Sequence, residues 1–341
     1  MKDERARHDY LWDGSGEPDL DVERLEALLA PYRHRGALAP LPLREPAPGR
    51  SAATVMLQLS TAAASVALVA AAAWSGAALR PAGWDVQSLA GAPSIAGVHT
   101  DLPSTLPIGA TMTTDAASRA RLDIASVGSV DVEPNSRVRL IASRPGERRL
   151  ALDRGGIRAR IWAPPGRFFV NTPSSTAVDL GCAYSLDVDE SGAGIVRVES
   201  GWVAFEYNGR ESFIPTGAMC ATRPRFGPGT PYYEDAPDAL AQALTILDFS
   251  TTDDVRRPVA LEAVLSAARP RDAVTLWHML SRGTPAERAR VFDRMAVLVP
   301  PPEGVTRQAV IDGDRAARDA WWNTLGLDSA SWWRIWKTPW K

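Results

Sequence analysis

The sequence predicts a multi-domain chain: a single transmembrane helix, an all-β roll or sandwich, then a small all-α C-terminal domain. Three observations carry this. Residues 51–79 contain no charged side chain and are bracketed by Arg50 and Arg80. Downstream of about residue 106, apolar and charged residues alternate in short segments. From about residue 234 the apolar spacing turns helical.

Residues 1–50 read as a short cytoplasmic arm. From Asp21 to Tyr32, the side chains Val22, Leu25, Leu28, Leu29 and Tyr32 fall on one helix face, with Glu23, Arg24 and Glu26 elsewhere. One helix buries little surface alone, so this face is the arm's candidate partner-binding surface. The stretch 36–49 is proline-rich and reads as a linker.

The uncharged run of 51–79 exceeds the roughly 20 residues that a helix needs to cross a bilayer core. A helix also satisfies its own backbone hydrogen bonds in lipid. Leu57, Leu59, Val66, Leu68 and Val69 supply the more apolar middle, and Trp74 suits an interface. A cleaved signal peptide and a buried core helix are the rival readings. About 50 residues precede the run, which disfavours the first. Its length disfavours the second. Arg33, Arg35, Arg44 and Arg50 lie upstream against Arg80 alone nearby downstream. By the positive-inside rule the N-terminus is cytoplasmic and the C-terminal domains are periplasmic or otherwise extracytoplasmic.

Residues 80–105, rich in Pro, Gly, Ser and Ala, read as a linker. The β domain follows over 106–226. Ala120, Leu122 and Ile124 alternate with Arg119, Arg121 and Asp123; Ile157, Ala159 and Ile161 alternate with Arg158 and Arg160. Segments around Val138, Leu186 and Val196 repeat the pattern, as half-buried strands do. Asn208-Gly209 between two apolar runs is a two-residue hairpin signal. Residues 234–341 read as four to six short helices. Thr284-Pro285-Ala286-Glu287 is a capping box with proline at the first helical position, and Gly283 and Gly326 read as helix stops.

No enzyme is read from the chain. His8, His34, His99 and His278 are scattered, without metal-ligand spacing, and His278 reads as a packed core residue. Neither a phosphate loop nor a nucleophile elbow occurs. Asp187, Asp189 and Glu190 fit a solvated hairpin tip better than a calcium loop. A formal net charge of −2 gives no sign of a nucleic-acid surface. Cys182 and Cys220 are either a disulfide permitted by an oxidising compartment or two buried, unpaired thiols. Trp321, Trp322, Trp332, Trp333, Trp336 and Trp340 crowd the tail beside Arg334, Lys337 and Lys341. They either pack the helical domain, the favoured reading for the first four, or meet a membrane interface or partner groove.

The β segment resembles a known family. IGATMTTDAASRARLDI (108–124), GSVDVEPNSRVRLI (128–141) and DRGGIRARI (153–161) are similar to the opening segments of FecR-type periplasmic domains. FFVNTPSSTAVDLGCAYSLDV (168–188) resembles the family's Phe-x-Val-x-Thr-Pro strand and the Gly-Thr-x-Phe-type strand after it, with Cys182 and Tyr184 where threonine and phenylalanine are usual. VRVESGWVAFEY (196–207) and IPTGAMC (214–220) complete the order. The resemblance implies a sensor that passes an envelope signal to a cytoplasmic partner, an extracytoplasmic-function sigma factor. The arm departs from the family: it is short, lacks a tryptophan-centred pattern and has no cysteine. The alternative is a cell-envelope scaffold or adaptor with no sigma-factor role. Protein partners are implied on one or both sides of the membrane, and no cofactor is.

Overall fold

The structure, a computed structural model, describes residues 20–32, 83–99 and 103–327. The uncharged run 51–79, the proline-rich linker, and Trp332, Trp333, Trp336 and Trp340 lie outside these residues. Among the described residues, no helix is long and apolar enough to cross a membrane. The chain divides into two compact units, Met1–Ala73 and Trp74–Lys341.

In the first unit, helix α1 spans Leu20–Leu29 and ends in a 3-10 turn at Ala30–Tyr32. Asp21 and Glu23 occupy its first turn, where carboxylates complement the helix dipole. Val22 is half-buried, and Leu25, Leu28, Leu29 and Tyr32 are exposed.

In the second unit the strands are β1 (Gly83–Ala90), β2 (Ser94–Ile95), β3 (Val98–His99), β4 (Ser104–Pro107), β5 (Thr111–Thr113), β6 (Arg119–Asp123), β7 (Gly128–Val132), β8 (Arg137–Arg144) and β9 (Glu147–Ile161). They continue as β10 (Phe168–Asn171), β11 (Thr176–Asp179), β12 (Ala183–Val188), β13 (Gly194–Ser200), β14 (Trp202–Tyr207), β15 (Arg210–Pro215), β16 (Ala218–Arg223), β17 (Gly227–Pro228) and β18 (Tyr232–Tyr233). One sheet runs β4-β1-β6-β7-β9-β12-β13-β16, with β17 and β18 on the outer edge of β16. The other runs β3-β2-β5-β8-β9-β10-β11-β14-β15.

Strand β9 belongs to both sheets. Leu150 and Leu152 pair in the second, and Ile157 and Ala159 in the first. The switch falls at Gly155, whose φ is +87° and whose Cβ would sit 2.3 Å from Ser136 Oγ. Only glycine takes that conformation at that approach without strain.

Apolar residues fill the space between the sheets, among them Leu122, Leu140, Leu150, Phe168, Tyr184 and Phe205. A second core lies on the outer face of the β10-β11-β14-β15 portion, where Phe169, Val178, Ala204 and Phe213 meet the C-terminal helices. These helices are α2 (Asp238–Phe249), α3 (Arg257–Ala267), α4 (Ala273–Met279), α5 (Pro285–Leu298), α6 (Arg307–Ile311) and α7 (Arg315–Trp322). The capping box opening α5 forms as the sequence predicts: Thr284 Oγ1 accepts from the Glu287 N–H, and the Glu287 carboxylate accepts from the Thr284 N–H. Trp321 and Trp322 are fully buried.

The structure corrects one expectation and refines two others. First, the linker expected over 80–105 contains strand β1, which pairs with both β4 and β6. Its Trp84 and Val86 are buried in the sandwich core, and Trp84 Nε1 donates to Ser143 Oγ at 3.0 Å. Second, the C-terminal helices follow the β sandwich as the sequence predicts, and they cover one of its outer sheet faces within the same compact unit. Third, Cys182 and Cys220 are free thiols. Cys220 pairs with Val196 on β13, and Cys182 precedes β12 on the far side of that strand. Two ladder spacings of about 4.8 Å already exceed the Cα separation that a disulfide tolerates, about 7 Å.

Candidate functional site

Strand β15 is the last strand of its sheet, so one side of its backbone faces away from β14. Side chains from α4 and the loop after it occupy that edge. The Phe213 N–H donates to His278 Nε2 at 2.9 Å, and Arg282 Nη2 donates to the Glu211 carbonyl at 2.9 Å. His278 Nδ1 lies 2.7 Å from the Val274 carbonyl, which assigns the ring proton to Nδ1. Burial first, then the nearby Arg282 charge, pushes His278 well below the usual histidine range, so it stays neutral. This accounts for the packed histidine read from sequence, and it closes an edge that would otherwise recruit a foreign strand.

Asp248 of α2 sits beside this seal. Its Oδ1 accepts from Arg210 Nη2 at 2.7 Å, from Thr230 Oγ1 at 2.9 Å and from Arg282 Nη1 at 3.3 Å. Its Oδ2 accepts from the Thr230 N–H at 2.6 Å. Arg282 also donates to Thr230 Oγ1 and Ser212 Oγ, at 2.6 and 2.8 Å. Burial lowers Arg282 to about 10, which leaves it protonated at neutral pH. The network ties β15, the segment before β18, α2 and the loop after α4 together through residues that sequence spacing cannot associate.

In front of it opens a cleft of about 690 Å³. The Asn208-Gly209 hairpin tip forms one wall, and Arg315 and Arg318 of α7 another. Phe213 and Trp277 form apolar lining. Asn208 and Gly209 have φ of +47° and +79°, the positive pair of a type I′ turn that joins β14 to β15. Arg315 Nη2 stands 3.5 Å from Glu211 Oε2. Four of the eleven lining residues are arginine and one is acidic.

A separate buried group lies at the β11–β12 corner. Asp179 is 1% exposed; its carboxylate accepts from the Gly181 N–H at 2.7 Å and the Cys182 thiol at 2.6 Å. Burial outweighs these bonds and raises Asp179 to about 7. Burial raises Cys182 well above the usual thiol range, with Asp179 adding to it, and raises Cys220 to about 12. Thiols so shifted are poor nucleophiles.

The remaining sequence candidates resolve individually. Val22, Leu25, Leu28, Leu29 and Tyr32 share α1 of the first unit. Asp187 bonds Arg197, Asp189 accepts from Ser191 and Ala193, and Glu190 bonds Arg154, so each carboxylate of the hairpin tip has a protein partner. Among the described residues, no group of three or more His, Cys, Asp or Glu is arranged to hold a metal ion. The cleft went unread because Arg210, Arg282 and Arg315 lie far apart in sequence; the hairpin tip was its one legible part.

Residues 110–204 match the family model described as FecR protein. No curated protein matches the chain. Two crystal structures of a protein from Parabacteroides distasonis ATCC 8503, provisionally described as an anti-sigma factor, align with 14% identity and a TM-score of 0.33. Each alignment covers 39% of this chain, and 63% or 62% of the other. The chain thus spans less than two thirds of the length of these solved relatives. The matched segment runs from the strands after β4 to the middle of β14, in the order read from the sequence. Residues 110–204, within the β sandwich, are similar to a FecR domain.

Proposed function

We propose that the chain is a single-pass bacterial inner-membrane signalling protein that works by binding and not by catalysis. Its N-terminal arm is cytoplasmic, the run 51–79 crosses the bilayer, and the FecR domain with its helical cover is extracytoplasmic. The FecR domain senses or binds an envelope partner, and α1 transmits to a cytoplasmic partner, an extracytoplasmic-function sigma factor. The observation that carries this reading is a FecR domain placed C-terminal to a long uncharged run whose positive flank lies on the N-terminal side. Buried thiols and a neutral, fully bonded His278 support binding over chemistry.

Single-cysteine labelling tests the topology. Cys182 and Cys220 are buried, so the parent chain gives little background. In spheroplasts, Ser191→Cys, at an exposed hairpin tip, labels with a membrane-impermeant maleimide, and Ala37→Cys does not. Equal labelling at both positions, or the reverse pattern, contradicts the topology.

A further inference from the structure

We infer that the end of the β sandwich at which β1 begins rests on a phospholipid surface, with the side chains of Trp162 and Ile108 seated in the headgroup layer. The inference rests on the membrane reading proposed above, and its test separates the two. Leu79, the last residue of the uncharged run, and Gly83, the first of β1, are four positions apart. Four residues of fully extended chain span at most about 14 Å. The end of the sandwich marked by Gly83 is therefore tethered close to the point where the run leaves the hydrocarbon.

The strand registers identify what stands at that end. Gly83 pairs with Pro107, which places Ile108 and the turn from β4 to β5 there. Asp85 pairs with Asp123, and Asp123 with Ser129, so the β6–β7 turn at 124–128 is at the same end. Gly128 pairs with Ile161, and the Trp162 N–H donates to the Val127 carbonyl at 3.0 Å. Among the described residues Trp162 is the one exposed tryptophan, at 65%, and Ile108 is 45% exposed. The backbone around Trp162 is fixed: the Ile161 N–H donates to the Cys182 carbonyl at 2.9 Å, and Ala163 is buried. The indole is thus displayed without the ordering cost that a loose loop would add on binding. An indole joins a large apolar area to an N–H that seeks a polar partner, and the headgroup layer of a bilayer offers both.

The test is site-directed fluorescence on the full-length chain, reconstituted in phosphatidylcholine vesicles doped with a headgroup-nitroxide phosphatidylcholine. A bimane label is placed at Ser126→Cys, exposed in the β6–β7 turn, or at Ser191→Cys, on the hairpin tip at the Gly155 end of β12 and so at the opposite end of the sandwich. Cys182 and Cys220 are buried and do not compete for the label. The inference predicts that the nitroxide lipid quenches the label at 126 and leaves the label at 191 bright. Trp162→Gln combined with Ile108→Gln restores the emission at 126 toward the level at 191. Val259→Gln, which removes another exposed apolar side chain on α3, leaves the quenching at 126 unchanged. Equal quenching at both labels overturns the inference. So does quenching at 126 that survives Trp162→Gln with Ile108→Gln, or that Val259→Gln relieves to the same extent. Carbonate extraction of the same vesicles separates the readings. A chain stripped from the vesicles overturns the membrane reading and this inference with it. A retained chain whose label at 126 stays bright overturns this inference alone.

Discussion

The backbone N–H of Phe213 donates to His278 Nε2 across 2.9 Å, joining residues 65 positions apart. Through this bond a helix side chain completes the edge of a β-sheet. The imidazole must be neutral to accept, and burial keeps it so.

His278→Phe keeps much of the ring volume and removes the acceptor. The buried Phe213 N–H is then unsatisfied, at a cost of about 1–3 kcal/mol. The unfolded chain takes up a proton on this histidine near pH 6.5 while the folded chain holds it neutral, so stability falls as acid is added below that pH. Urea titrations of the parent and His278→Phe should show the variant less stable at neutral pH and with a smaller loss on acidification.

Asp179 has the opposite sign. Its folded value of about 7 lies above the unfolded value near 3.9, so the folded state binds more protons between the two. Its contribution is fully present below about pH 4 and is lost as pH rises through 7. Asp179→Asn stays neutral throughout. Between about pH 5 and pH 8 it should gain on the parent by about 2–4 kcal/mol, read from denaturation midpoints at each pH.

Asp248→Ala removes the one carboxylate shared by Arg210, Arg282 and Thr230. Leaving Arg282 buried beside Arg210 without compensation should cost about 3–5 kcal/mol. Hydrogen exchange should show α2 and α4 losing protection before β6 and β7, whose core lies between the sheets.

Part of this architecture was legible in the sequence. Alternation marked β6, β8, the second half of β9, β12 and β13, and Asn208-Gly209 marked a hairpin, because these signals are local. Strand β1 was missed although Trp84 and Val86 alternate with Asp85 and Gln87; the surrounding small residues and prolines masked the period. The runs FFV and VAF look unlike half-buried strands because they bury both faces, one against the opposite sheet and one against the helices. The Asp248 network and the arginine cleft have no local signal, since their residues converge only on folding. A chain starting at residue 106 therefore lacks two core side chains, each worth about 1.5–3 kcal/mol. It should bind a hydrophobic dye and unfold without a cooperative transition, whereas one starting at 83 should unfold cooperatively.

The central claim is that the N-terminal arm transmits by binding a sigma factor. The measurement that tests it most directly is affinity capture from cell lysate with residues 1–50, in parent and Leu25→Asp forms. Leu25 lies on the exposed face of α1, 58% accessible, so the charge leaves the isolated arm undisturbed. In an interface it would be buried without a partner, a cost larger than one lost contact. The account predicts an extracytoplasmic-function sigma factor in the parent eluate and its loss from the Leu25→Asp eluate. An arm that captures no sigma factor, or captures one equally in both forms, would contradict the account and favour a scaffold whose arm is an extension of its anchor.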